Sequence, residues 1–157
     1  HNANVNATED GQTTPLHLAS LNGHLDVAAL LLEHNANVNA TDDDQATPLH
    51  YASSEGHQHL AALLLEHNAD VNVTADHQRT PLHFASFHGH LDVAALFLEH
   101  NANVNATVDD QTTPLHLASS KGHLDVAALL LEHGADVNAR KIDQCTPLHF
   151  AAEDGHL

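Results

Sequence analysis

Apolar positions in this chain form short blocks with the spacing of a helix face, and the blocks recur at a fixed interval. The stretch Thr41 to Val73 shows the pattern. Thr47 has a hydroxyl that can accept an orphan backbone N–H, so it predicts a helix N-cap. Pro48 follows at the first helical position, where its missing N–H costs nothing. A short helix is expected through Leu49 to Glu55. Gly56 should stop it, because glycine tolerates the left-handed conformation. A second helix is expected from about Gln58 to His67. Leu60, Leu63 and Leu64 have the i, i+3, i+4 spacing of a buried stripe, and Ala61 and Ala62 are small enough for close approach of a neighbour. Asn68 sits where this helix must end, in a conformation Asn can adopt. The remainder, such as Asp70 to Arg79, is polar and reads as a connecting loop.

The block repeats without insertion. Thr-Pro-Leu-His begins at Thr14, Thr47, Thr80, Thr113 and Thr146, a spacing of 33 residues. One large apolar residue and then Ala follow each copy: Leu18-Ala19, Tyr51-Ala52, Phe84-Ala85, Leu117-Ala118 and Phe150-Ala151. Gly-His recurs at Gly23-His24, Gly56-His57, Gly89-His90, Gly122-His123 and Gly155-His156. Val-Asn closes the units at Val38-Asn39, Val71-Asn72, Val104-Asn105 and Val137-Asn138. One unit cannot bury its own apolar face, so units must stack.

These motifs resemble the ankyrin-repeat family, and the resemblance covers essentially the whole chain. It implies an all-α repeat solenoid of stacked antiparallel helix pairs joined by β-hairpin-like loops. One domain, 1–157, would hold a partial unit at 1–7, full units at 8–40, 41–73, 74–106 and 107–139, and a partial unit at 140–157. The family commonly has Gly in the hairpin turn two residues before the Thr. Here that position is Gln12, Gln45, Gln78, Gln111 and Gln144. A non-Gly residue at positive φ would cost about 1–2 kcal/mol, unless the turn is re-formed. The family often has Lys on the outer face of the second helix, where this chain has Ala29, Ala62, Ala95 and Ala128. The chain opens inside a unit and stops before a second helix could form, as expected of an excerpt from a longer array or of a deliberately trimmed chain. Uncapped terminal layers would permit weak end-to-end association of otherwise monomeric chains.

Charge and composition narrow the function. There are 21 acidic residues against 4 Lys and Arg, a formal charge of −17. Such a field disfavours nucleic acid and anionic membranes and favours basic partners. The longest apolar run is Val27 to Leu32, too short to span a bilayer. No signal peptide is evident, and a single cysteine, Cys145, excludes an intrachain disulfide framework. Both favour an intracellular, cytoplasmic setting. Four copies of one sequon, at Asn6, Asn39, Asn72 and Asn105, point the other way. Their simpler role is a side chain tying down a turn.

Eighteen histidines suggest metal or acid–base chemistry, yet fifteen recur at three fixed repeat positions, which indicates packing and hydrogen bonding. The resemblance implies that His17, His50, His83, His116 and His149 bond within the turn region and link neighbouring units. Equivalent histidines one layer apart are too distant to share a zinc ion. The pairs His57/His59 and His88/His90 could chelate only weakly. Zinc-protease, phosphate-loop and nucleophile-elbow motifs are absent, so no enzyme, cofactor or metal is expected. Protonating all eighteen histidines would carry the formal charge to about +1.

The units differ mainly in the loop tips and at the ends of the first helices, which line the partner-binding groove in this family. That places a protein or peptide site at Leu21, Asp44, Glu55, His77, Arg79, Phe87, His88, Asp110 and Lys121. The third unit stands out: Phe87 replaces the Ser of its two neighbours, and Arg79, His77 and His88 belong to the same layer. Tyr51 and Phe84 hold the half-buried helix position and are expected in the core. Asn72 and Asn138, each with a Leu eight residues earlier, resemble hydroxylated ankyrin asparagines and are candidate modification sites.

Overall fold

The structure is a computed structural model that describes residues 4–153 and Gly155. The Thr-Pro segments start five helices: α1 (Pro15–Leu21), α3 (Pro48–Glu55), α5 (Pro81–His88), α7 (Pro114–Lys121) and α9 (Pro147–Glu153). Four second helices alternate with them: α2 (Leu25–Glu33), α4 (Gln58–Glu66), α6 (Leu91–Glu99) and α8 (Leu124–Glu132). Among the described residues there is no β-strand. α1, α3, α5 and α7 each pack on their own second helix and on the first helix of the next unit. The first-helix row is packed more closely than the second-helix row. Rows of unequal spacing curve a stack, with the closer row on the inside.

The helix signals act as their chemistry requires. Thr14, Thr47, Thr80 and Thr113 are extended N-caps, and each forms a reciprocal capping box in which His takes the third helical position. Gly56 ends α3 at φ 74° and Asn68 lies beyond α4 at φ 65°. Leu16, Leu49, Leu82 and Leu115 form the core row of the first helices, each at most 2% exposed. Leu60 and Leu64 are buried as expected, and Leu63 is half-buried. The equivalents Val93, Phe97, Val126 and Leu130 are also buried, whereas Val27 of the first full unit is 49% exposed. Burial here depends on having a neighbour, as a solenoid demands.

The loops are tight hairpin turns without strands. The Asp42 N–H donates to the Ala46 carbonyl at 3.0 Å, and the Gln45 N–H donates back to the Asp42 carbonyl at 3.1 Å. The same pair of bonds closes the turns at Glu9–Thr13, Val108–Thr112 and Lys141–Cys145. The turn is not re-formed around glutamine. All five Gln residues adopt left-handed φ, from 59° to 68°. Nothing in the structure explains why Gln stands there. Successive tips are joined by single bonds, such as Asp76 N–H to the Asp44 carbonyl at 2.9 Å.

Three side-chain ladders fasten the layers. His17 Nδ1 accepts the Thr14 N–H at 3.1 Å, while Nε2 lies 3.1 Å from the Ala46 carbonyl of the next unit. His50, His83 and His116 repeat this onto Arg79, Thr112 and Cys145. The sequon asparagines form the second ladder. Asn39 Oδ1 accepts the Asp70 N–H at 3.0 Å and its Nδ2 donates to the Asn68 carbonyl at 3.2 Å. The asparagine therefore ties two units together rather than its own turn. The third ladder lies behind the Gly-His pairs. His57, His90 and His123 lay their rings over Gly23, Gly56 and Gly89 of the preceding unit. Their Nε2 atoms reach the Leu21, Ser54 and Phe87 carbonyls.

Two substitutions test this account by urea denaturation. A Cβ on Gly56 would lie 2.6–2.9 Å from the His90 ring, whereas one on Gly134 meets nothing within 4 Å. Both glycines have positive φ. Gly134→Ala should cost about 1 kcal/mol of backbone strain, and Gly56→Ala about 3 kcal/mol from strain plus the lost ring contact. Equal costs would contradict the third ladder. Gln45→Gly should stabilise by about 0.5–1 kcal/mol by removing left-handed strain; a lowered midpoint would show that the glutamine side chain holds the turn.

Candidate functional site

The groove is built from the loop tips and the inward side of the first helices. Three recesses lie side by side in its middle. The first, roughly 200 Å³, lies between the second and third units and is lined by Asp44, His50, Tyr51, Ser54, Arg79 and Phe84, among others. The next, about 250 Å³, is formed by Arg79, His83, Phe84, Phe87, His88 and Leu117. The third, about 530 Å³ and more open, is lined by His77, Arg79, Val108, Asp109, Asp110, Thr112 and Leu117. Arg79 borders all three.

The structure brings most of the sequence-selected residues together. Arg79, Phe87 and His88 share one recess, and His77, Arg79 and Asp110 share another. Burial pushes the His88 imidazole down, against the pull of the Glu55 carboxylate. Leu21, 38% exposed, lies two units away and borders none of the three recesses. One expectation needs correction. Tyr51 and Phe84 are half-buried, as their helix position predicts, but they line the groove rather than the core, where the inward end of each first helix meets the tips. Lys121 from the next unit lies 4.6 Å from the Phe87 ring centre, and Arg79 lies 5.4 Å from that of Phe84. Lys141 repeats the arrangement over Phe150 at 5.1 Å. Three of the four Lys and Arg residues in this acidic chain therefore sit on aromatic rings along the groove.

The scaffold ladders position these groups. The His123 Nε2 holds the Phe87 carbonyl at 3.1 Å, and the His90 Nε2 holds that of Ser54 at 2.8 Å. The Tyr51 hydroxyl donates to Asp42 at 2.6 Å, and Asp42 is buried. Burial and the Asp42 carboxylate push the Tyr51 phenol up to about 12. The tip of the third unit is strained. His77 and Gln78 both have left-handed φ, 61° and 62°, where the first unit places Gly11 before its Gln12. His77 Nδ1 lies 3.1 Å from Asp109, across to the next tip. Strain of about 1–3 kcal/mol at such a residue is characteristic of functional sites.

Neither candidate for modification lies in the groove. Asn72 and Asn138 are exposed in the turns after the second helices. The Asn72 side chain is engaged by Asn101 and Asn103 of the next unit. Among the described residues no cluster of three His, Cys, Asp or Glu could hold a metal ion, and no helix is long and apolar enough to cross a membrane.

Helix pairs capped by Thr-Pro-Leu-His, stacked in register and joined by projecting hairpin turns, define a helical repeat solenoid with a groove along its tips. The family model described as ankyrin repeats (3 copies) matches over four overlapping ranges, residues 1–75, 41–108, 74–141 and 107–157. The chain belongs to the ankyrin-repeat family. Ankyrin repeats generally serve as protein–protein interaction modules and are typically non-catalytic. No curated protein matches this chain significantly.

The first ladder predicts the pH dependence of stability. Burial pushes His50 and His83 down to about 4, against the opposing pull of their backbone carbonyl partners. Protonating Nδ1 would also turn an N–H toward the Thr N–H it now faces. The unfolded chain takes up these protons near pH 6.5, so it binds more protons than the folded chain between pH 6.5 and 4. Stability is therefore full above pH 6.5 and falls as pH drops toward 4. Each of the two sites should remove about 2 kcal/mol between pH 7 and 5. Urea midpoints across that range, with His50 and His83 imidazole shifts followed by NMR, measure it; a flat midpoint would contradict the buried neutral ladder. The same burial keeps these rings uncharged in mild acid, so the charge reversal expected from eighteen free histidines is not reached there.

Proposed function

We propose that this chain binds a partner protein or peptide along the groove, centred on the third and fourth units, and carries out no reaction itself. The supporting observation is the convergence on Arg79 of three adjoining recesses that include Tyr51, Phe84 and Phe87. Half-exposed aromatics beside Arg form the chemistry of interface hot spots. Asp44, Asp109 and Asp110 surround them, and the charge of −17 favours a partner segment that is basic or mixed. The compartment we propose is intracellular.

The test is an affinity capture at pH 7.4 comparing the wild-type chain with an Arg79→Ser, Phe87→Ser, His88→Ser triple variant of equal helix content by circular dichroism. Loss of a discrete partner, by at least about tenfold, is the expected result. The same proteins retained by both chains would move the site elsewhere. A second reading makes the exposed turn residues Asn72 and Asn138 hydroxylase substrates. Intact-mass analysis after expression in a eukaryotic host should then show addition of oxygen, and an unmodified mass would exclude it.

A further inference from the structure

The groove's middle holds a cation that no carboxylate among the described residues pairs with. Arg79 donates only its Nε–H, to the Asp76 carbonyl at 3.3 Å. Among the described residues the ion pairs are His77–Asp109 and Lys141–Asp110, so no carboxylate pairs with Arg79 although acids surround it. The guanidinium carries five N–H donors in a planar fork. It lies over the Phe84 ring and borders all three recesses of the groove. Beside it, Phe84, Phe87 and Leu117 wall the recess of about 250 Å³, which has room for one bulky side chain.

Resting on the groove reading above, we infer that the partner is a predominantly basic segment carrying one acidic side chain next to a bulky apolar one. The apolar side chain fills the Phe84–Phe87–Leu117 recess, and the neighbouring carboxylate accepts two N–H bonds from Arg79. The flanking basic residues meet Asp44, Asp109 and Asp110. A carboxylate suits this place better than a phosphoryl group. The encircling acids penalise a charge near −2 more than a single charge, and the planar fork matches a carboxylate in two-point contact. A wholly basic segment would leave the Arg79 donors unmet and set like charges against Arg79 and Lys121.

A displayed library of random twelve-residue peptides panned on the full chain at pH 7.4 tests this. Enriched peptides should pair Asp or Glu with an adjacent Leu, Phe, Trp or Met among Lys and Arg residues. Fluorescence anisotropy of the best peptide then compares its acid with the matching amide, against wild type and Arg79→Gln. The amide should weaken binding to wild type by roughly tenfold to a hundredfold, and should change binding to Arg79→Gln little. Phe87→Ser should weaken every peptide. Peptides that need Phe87 but lack an acid, or that lose equal affinity with and without Arg79, would overturn this inference while keeping the groove. Peptides indifferent to Phe87→Ser, or no enrichment at all, would overturn the groove reading and this inference with it.

Discussion

The imidazole of His50 sits between two layers. It accepts the Thr47 N–H at 3.0 Å through Nδ1, completing the cap of its own helix, and reaches the Arg79 carbonyl of the next layer at 3.0 Å through Nε2. A backbone N–H can only donate and a carbonyl can only accept. The ring is therefore neutral, with its proton on Nε2. This contact sets the position of the following hairpin turn relative to the helix before it. Its repetition at His17, His83 and His116 makes the stack continuous. The groove inherits its shape from that contact, because the carbonyl held by His50 belongs to Arg79.

The two further ladders divide the labour by side of the molecule. Asparagines join the turns that follow the second helices, and the Gly-His histidines clamp the ends of the first helices. The second of these explains a coupling between neighbouring letters of the sequence. Gly56 must be glycine both for its φ of 74° and because the His90 ring of the next unit occupies the space of a Cβ. Polar cross-links of this density suit a chain with only 3% aromatic residues. Each layer buries Leu, Ala and Val side chains that specify close approach but little orientation, and the directional bonds supply the orientation.

The acidity of the chain and the chemistry of its groove point in different directions. Net charge favours basic partners at long range. Within the groove, Arg79, Lys121 and Lys141 lie over Phe rings, and Lys141 is already paired with Asp110. Long-range attraction and local contact can therefore select different features of the same segment, one its overall charge and the other its anchor. The tip of the third unit, with His77 and Gln78 both left-handed, meets its neighbour where Asp109 lies against His77.

The antiparallel pairing came from the family resemblance, while the repeat period, the Thr-Pro helix starts, and the glycine and asparagine stops could all be read from the residues. These features depend on local backbone preference and on a helical period, and both are written in contiguous sequence. The third unit was legible as unusual because its neighbours provide an internal reference at every position. The partners of each side chain across the layer boundary were not legible. His57 over Gly23, Asn39 on Asp70 and Lys121 on Phe87 join residues about one repeat apart, and their pairing depends on the offset and angle between layers. The same offset placed Tyr51 and Phe84 in the groove rather than the core, since a helix residue's exposure is decided by what packs beside it. The sequence by itself determined the units and where they vary. Only the tertiary structure decided which groups face each other, because one helical period fixes the direction of a side chain relative to its own axis and says nothing about the neighbouring one.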